Sequence, residues 1–226
     1  IHSGNYGVRV DGANVGTSLL LTNSIIHNVA GHGLDLFCCN TEIGNCQITN
    51  AKGNCVNIIG GSNQFYFNTI AQFYPWDACG HALYFANVIN DTAYSVNNLG
   101  FEGCIITGMA KDELFGTRVD DESIAFNYEF KHCLVLTDTT SIDFSRFVGC
   151  VFEGDTAISK RHNFVSVINH DYSSDFHLDS ISRARGIAVV DFKIPPRYLT
   201  DHDGWNRPEL SDAGCYQFLR RQEDDH

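Results

Sequence analysis

The chain has one Met, four Pro and only 15 Lys plus Arg among 226 residues, against 27 Asp plus Glu. The resulting net charge of -12 leaves no positive stripe to neutralise phosphates, which argues against a general nucleic-acid binder. No run approaches the ~18 uninterrupted apolar residues of a spanning helix, so no membrane-spanning segment is expected. Cys-x-x-Cys pairs and Cys/His knuckles are missing among the nine cysteines, which speaks against structural zinc. Helical periodicity is scarce, and 16 Phe and 9 Tyr favour strands over a helix bundle. No signal peptide is visible at Ile1-His2-Ser3-Gly4, and the chain reads as a mature or excised segment that starts inside a repeat.

What is present is repetition. Asn45-Cys46-Gln47-Ile48, Gly103-Cys104-Ile105-Ile106, His132-Cys133-Leu134-Val135 and Gly149-Cys150-Val151-Phe152 share one phrase, and Asn23-Ser24-Ile25-Ile26 and Asn68-Thr69-Ile70 extend it without cysteine. A second, glycine-led phrase starts at Gly7, Gly33, Gly53 and Gly80 and interleaves with the first. A phrase that returns every few tens of residues marks a chain wound into stacked coils. Short alternating runs bounded by Gly, Asn, Asp and Ser predict strands joined by tight turns, at least two per coil. The thiols of Cys46, Cys104, Cys133 and Cys150 then fall at one place in successive coils, as small core fillers rather than disulfides, while Cys38-Cys39 packs or forms a vicinal bridge.

Alternation assigns Val8, Val10, Leu34, Leu36, Val56, Ile58, Leu83, Phe85, Ile124, Phe126, Ile142 and Phe144 to the inside of the solenoid. The outward column reads Arg9, Asp35, Asn57, Tyr84, Ala125 and Asp143, a polar and aromatic face on which a long polymer would lie. Gly108 to Asp121 reads as an excursion between coils with a helical turn around Lys111 to Phe115, forming a cleft wall or a solvated loop.

The glycine-led strands and Asn-Cys-x-Ile phrases resemble the right-handed parallel β-helix repeats of the pectate-lyase-like superfamily. The C-terminal phrases from Tyr172 to Ser180 and from Ser182 to Ala188 are similar to the closing segment of secreted β-helix proteins of Bacteroidetes. So are Asp203-Gly204-x-x-Arg207 and Asp212-Ala-Gly-Cys-Tyr216, with Arg183 in place of the family's proline and Cys215-Tyr216-Gln217 in place of its Ala-Tyr-Glu. The resemblance implies an all-β, right-handed parallel β-helix solenoid over residues 1-160 and a capping segment over 161-226 packed on the last coils. It also implies a secreted or cell-surface protein associated with polysaccharide.

Candidate site residues come from the outward column and one loop. Substrate-binding candidates are Arg9, Asn57 and Tyr84 on the column, with Tyr74 and Trp76 in the loop from Ala71 to Cys79, since aromatic faces stack on sugar rings. The competing reading folds those loop aromatics over the coil edge. A glycosidase needs two carboxylates ~5-10 Å apart, and Asp35 with Asp77 is the nominated pair, with His81 as acid/base or hydroxyl-binding group. Against it, Asp77 reads as a turn cap and His81 as a strand-surface residue, the commoner role for such positions. A lyase needs a base and, commonly, calcium held by clustered carboxylates; Arg9 and Asp35 read instead as a cross-coil ion pair, so no cofactor is expected, and calcium stays open without a ligand cluster to support it. Asp201-His202-Asp203-Gly204 suggests a calcium loop but fits a turn. Two classes remain open: a lyase-like or glycosidase-like enzyme on an extended glycan, and a non-catalytic glycan-binding or adhesive module.

Overall fold

Single left-handed residues set one whole corner of the molecule. In the computed structural model, which describes residues 1-12, 17-154, 162-167 and 174-219, Asn23, Asn45, Phe67, Gly103, His132 and Gly149 all take φ between 47° and 63°. Asn and Gly adopt that conformation at little cost, so the chain changes direction within one residue. The next residue carries the recurring hydroxyl or thiol. Ser24 Oγ donates to the carbonyl of Thr22 at 2.9 Å, and the sulfurs of Cys46, Cys104, Cys133 and Cys150 donate to the carbonyls two residues back at 3.3, 3.5, 3.1 and 3.7 Å. The position therefore calls for a small side chain with one donor, which Ser and Cys both meet. Asn68 fills it in the third coil, accepting from the Cys46 amide at 2.9 Å and donating to the Ile43 carbonyl at 2.9 Å. The phrase at Asn68-Thr69-Ile70 is thus shifted by one from the sequence alignment, and Phe67 takes the turn.

Between such turns the chain visits three parallel sheets in rotation. The first sheet contains Val8–Asp11, Leu34–Phe37, Val56–Ile59, Leu83–Ala86 and Leu114–Thr117. The second contains Ser18–Thr22, Asn40–Gly44, Gly61–Tyr66, Val96–Glu102, Phe126–Lys131 and Phe147–Val148. The third contains Ile25–Val29, Gln47–Ala51, Thr69–Gln72, Ile105–Gly108, Leu134–Leu136 and Val151–Glu153. Every new strand pairs in parallel with the strand of the preceding coil, an all-β arrangement consistent with a parallel β-helix. A coil thus has three strands rather than the two that the phrases marked. Helix is limited, among the described residues, to 3-10 turns at Phe144–Arg146 and Pro196–Tyr198, and no helix there is long and apolar enough to cross a membrane.

Stacked identical positions fill the interior. Phe65, Phe101, Phe130 and Phe147 lie one above another in the second sheet with centroids 4.6, 4.8 and 4.8 Å apart, the spacing of neighbouring strands. Leu34, Leu36, Val56, Ile58, Leu83 and Phe85 are buried as expected, while Val8 and Val10 are partly buried in the first coil. All nine cysteines are free, and Cys39, Cys46, Cys55, Cys104, Cys133 and Cys215 are buried.

The later coils depart from the sequence reading. The fifth strand of the first sheet is Leu114–Thr117, where a helical turn was expected, because Leu114 continues the inward column and the buried Glu113 carboxylate accepts the Ala82 and Ala110 amides at 2.8 Å each. Phe126 belongs to the second sheet, and Ile142 and Phe144 to a connection in which Asp143 caps the 3-10 turn and Phe144 is 58% exposed.

The C-terminal residues lie along the flank. Third-sheet strands such as Gln47–Ala51 and Ile105–Gly108 are buried on both faces, which requires a covering layer. Phe164, Phe176, Leu178, Ala188, Tyr198, Cys215 and Tyr216 supply it, packing on Phe67, Ala71, Phe73, Ile105 and Leu134. The resembling phrases are the docking points: the Arg207 guanidinium sits 4.0 Å over the Phe67 ring and donates to Asn45 Oδ1 and the Gly214 carbonyl at 3.0 Å each. Tyr216 donates to Gln47 at 3.0 Å, and the Gly214 amide to the Gly103 carbonyl at 2.8 Å. Asp201 accepts the Asp203, Trp205 and Gln217 amides, so it closes a turn. The expected boundary at 160/161, the start of the phrase at Tyr172 and the polar tail 220-226 lie outside the described residues.

Candidate functional site

Parallel in-register pairing stacks like positions about 4.8 Å apart, and on the outer face of the first sheet it produces the column Arg9, Asp35, Asn57, Tyr84, Phe115. Ala125 and Asp143 are not part of it; Phe115 takes the fifth place. Three residues before each member of the column, just ahead of the strand, lies a parallel row, Tyr6, His32, Asn54, His81 and Asp112, that the sequence reading did not assemble apart from His81. Its signal was the constant offset from the first inward residue, hidden because the fifth strand had been misplaced.

The upper half of the column is an internal polar ladder. Arg9 Nε lies 3.4 Å from Asp35 Oδ2, Asn57 Nδ2 donates to Asp35 Oδ1 at 2.8 Å, and Asn54 Nδ2 donates to Asn57 Oδ1 at 3.1 Å. The Asn54 amide N–H donates to His32 Nδ1 at 2.9 Å, and burial lowers the His32 pKa. The lower half is aromatic. Phe115, 47% exposed, stacks with His81 at 5.3 Å and 9° and with Tyr84 at 6.2 Å and 11°. His81 Nδ1 is 3.1 Å from the Asp112 carbonyl, which can only accept, so Nδ1 carries a proton and, in the neutral ring, Nε2 is the acceptor.

The nominated carboxylates have separate partners. Asp77 is exposed, bonds Lys52 Nζ at 3.0 Å and accepts the Ala78 amide at 2.8 Å. The Lys52 hydrogen bond, then the Ala78 amide, lower its pKa. Asp35 is bound to Arg9 and Asn57 as above, so the two share no hydrogen-bond partner. Tyr74 and Trp76 meet edge to face at 5.1 Å, and they line a cavity with Ser3, Gly4 and Asn28 to Ala30 rather than the first-sheet column. Among the described residues no group of three or more His, Cys, Asp or Glu is placed to hold a metal ion.

The chain matches no family model, no curated protein and no solved structure.

Proposed function

We propose that the chain is a right-handed parallel β-helix of the pectate-lyase-like type that binds an extended glycan on the outer face of its first sheet. The observation that carries this reading is the in-register column from Arg9 to Phe115, which offers amide, carboxylate and guanidinium groups beside an exposed Phe115 ring stacked nearly parallel to the half-buried His81 and Tyr84 rings. Flat aromatic faces take the C–H face of sugar rings, and the polar ladder takes their hydroxyls. The C-terminal segment acts as a lateral cover for the solenoid, and the assignment to a secreted or cell-surface setting rests on its resemblance alone. Affinity electrophoresis through gels containing neutral or uronic-acid polysaccharide tests the reading: retardation is expected, and Phe115→Ala reduces it by about tenfold in affinity, the scale of a lost aromatic anchor. Unretarded migration in every gel would overturn it.

The enzyme reading is supported by one feature, the acceptor Nε2 of His81 on the same face. A lyase would use it as the base that removes a proton from a uronate ring. Release of unsaturated ends from polyuronate, abolished in His81→Asn, would establish that activity, and its absence leaves the non-catalytic binding module.

A further inference from the structure

Two cavities outside the first-sheet face share a wall at Asn28. One, of about 310 Å³, lies between the third sheet and the C-terminal segment and is bounded by His27, Thr49, Asn50, His177 and Tyr216. That size falls at the lower end of small-ligand sites, roughly 300-1,000 Å³. The other, of about 280 Å³, is bounded by Tyr74 and Trp76. Asn28 is 9% exposed and takes φ 53°; its Nδ2 donates to His27 Nδ1 at 2.8 Å, and its buried Oδ1 has no partner. A buried amide oxygen without a donor is uncommon enough to call for an explanation.

The remaining polar groups of this wall complement that acceptor. Asn50 accepts the Phe73 amide through Oδ1 at 3.1 Å, which leaves its Nδ2 as a donor, and the Thr49 hydroxyl meets only Gln47 Nε2 at 3.5 Å. An acceptor, a donor and a hydroxyl that does both suit neighbouring hydroxyls of a sugar, each of which donates and accepts. Opposite them the His177 ring stacks on Tyr216 at 4.0 Å, fixed by Asp175 at 2.6 Å and Asp203 at 2.8 Å. Neither cavity is lined by Lys or Arg, and Asp175 in the larger one is paired with His177, so neither offers a Lys or Arg to receive the carboxylate of an anionic sugar.

We propose that this two-part cleft binds a neutral saccharide, one ring held in the larger cavity by Thr49, Asn50 and Asn28 and the next stacked on Tyr74 and Trp76. It is a site separate from the first-sheet platform and rests on the glycan reading only for the class of ligand. Calorimetric titration of the full chain with neutral gluco-, xylo- and manno-oligosaccharides and with oligogalacturonate tests it. A neutral oligosaccharide binds saturably, and Thr49→Val, Asn28→Gly and Trp76→Ala each weaken it by about tenfold or more, with thermal midpoints checked alongside. Thr49→Val keeps the size of the side chain, and Asn28→Gly suits the left-handed backbone, so one variant serves if another does not fold. Wild-type affinity in Thr49→Val and Trp76→Ala, with loss only in Phe115→Ala, would overturn the cleft and leave the platform standing. Binding of oligogalacturonate alone would overturn the neutral class, and binding of no glycan would overturn both readings.

Discussion

At the scale of single residues, the same chemistry recurs at the corner after five of the six second-sheet strands: a left-handed residue, then an O–H or S–H that returns to the carbonyl two places back, with Asn68 standing in that place in the third coil. The thiols there are packing and hydrogen-bonding groups. Burial pushes Cys46 up to about 12 and Cys133 well above its ordinary value, so thiolate is scarce and reactivity low. Cys79 is exposed. A thiol reagent is therefore expected to modify the exposed Cys79 and the half-buried Cys150 in the native protein, and the buried corner thiols Cys46, Cys104 and Cys133 only on unfolding; prompt native labelling of Cys46 or Cys133, read by mass spectrometry of peptides, would contradict this.

His177 gives a pH dependence of definite sign. Burial opposes its charge, but the hydrogen bonds to Asp203 and Asp175 outweigh that, and its pKa is raised above the ordinary value. A raised folded value means the stabilisation is fully present below about pH 6.5 and is lost as pH rises through the folded pKa. The midpoint advantage of wild type over His177→Gln should accordingly shrink as pH rises above about 6.5. An advantage that grows with pH would refute the assignment. Arg207 behaves differently: desolvation lowers its pKa to about 10, yet it stays charged at neutral pH over Phe67 and bonded to Asn45 and Gly214. Arg207→Ala strips those bonds at once and is expected to cost about 3 kcal/mol in denaturant unfolding.

At the scale of elements, parallel registry turns one side chain into a column. Phe101 is sandwiched between Phe65 and Phe130, 1% exposed. Truncation to Ala removes two stacked contacts and opens a cavity that the strands above and below cannot close, so a loss of about 3-5 kcal/mol is expected by chemical denaturation. Among the described residues Phe147, at the last coil, stacks on Phe130 alone, meets Phe152 at a tilt and is partly buried, so the same truncation there should cost less. Equal losses at the two positions would argue against a continuous stack.

At this scale the sequence was legible where two signals agreed. Gly33-Leu34-Asp35-Leu36 and Asn45-Cys46-Gln47-Ile48 carry both turn residue and alternation, and the structure puts strands at both, in the expected inward and outward registers. The second sheet escaped because its strands run straight into the left-handed turn: Thr41 and Ile43 point inward without a glycine to announce them. Leu114–Thr117 escaped for another reason, since Lys111 to Phe115 has good helix formers and only the pairing with Leu83–Ala86 makes it a strand. Of the site, Arg9, Asp35, Asn57 and Tyr84 were readable from alternation alone. The cleft around Asn28 was not, because Thr49 and Tyr216 are brought together by a flank contact across most of the chain, which no local pattern encodes.

At the scale of the whole molecule, three sheets stacked in rotation make a rigid frame whose faces serve different ends. One face of the third sheet is closed by the C-terminal segment, while the outer face of the first sheet keeps exposed side chains in register. A net charge of -12 means that polyanions approach the surface against the field.

The most direct test of the glycan account is chemical-shift mapping on protein labelled at aromatic and methyl carbons, titrated with a panel of oligosaccharides. The account predicts saturable shifts at His81, Tyr84 and Phe115, with Thr49 and Trp76 responding to neutral sugars. Unchanged spectra across the whole panel, or shifts confined to residues remote from both faces, would contradict it.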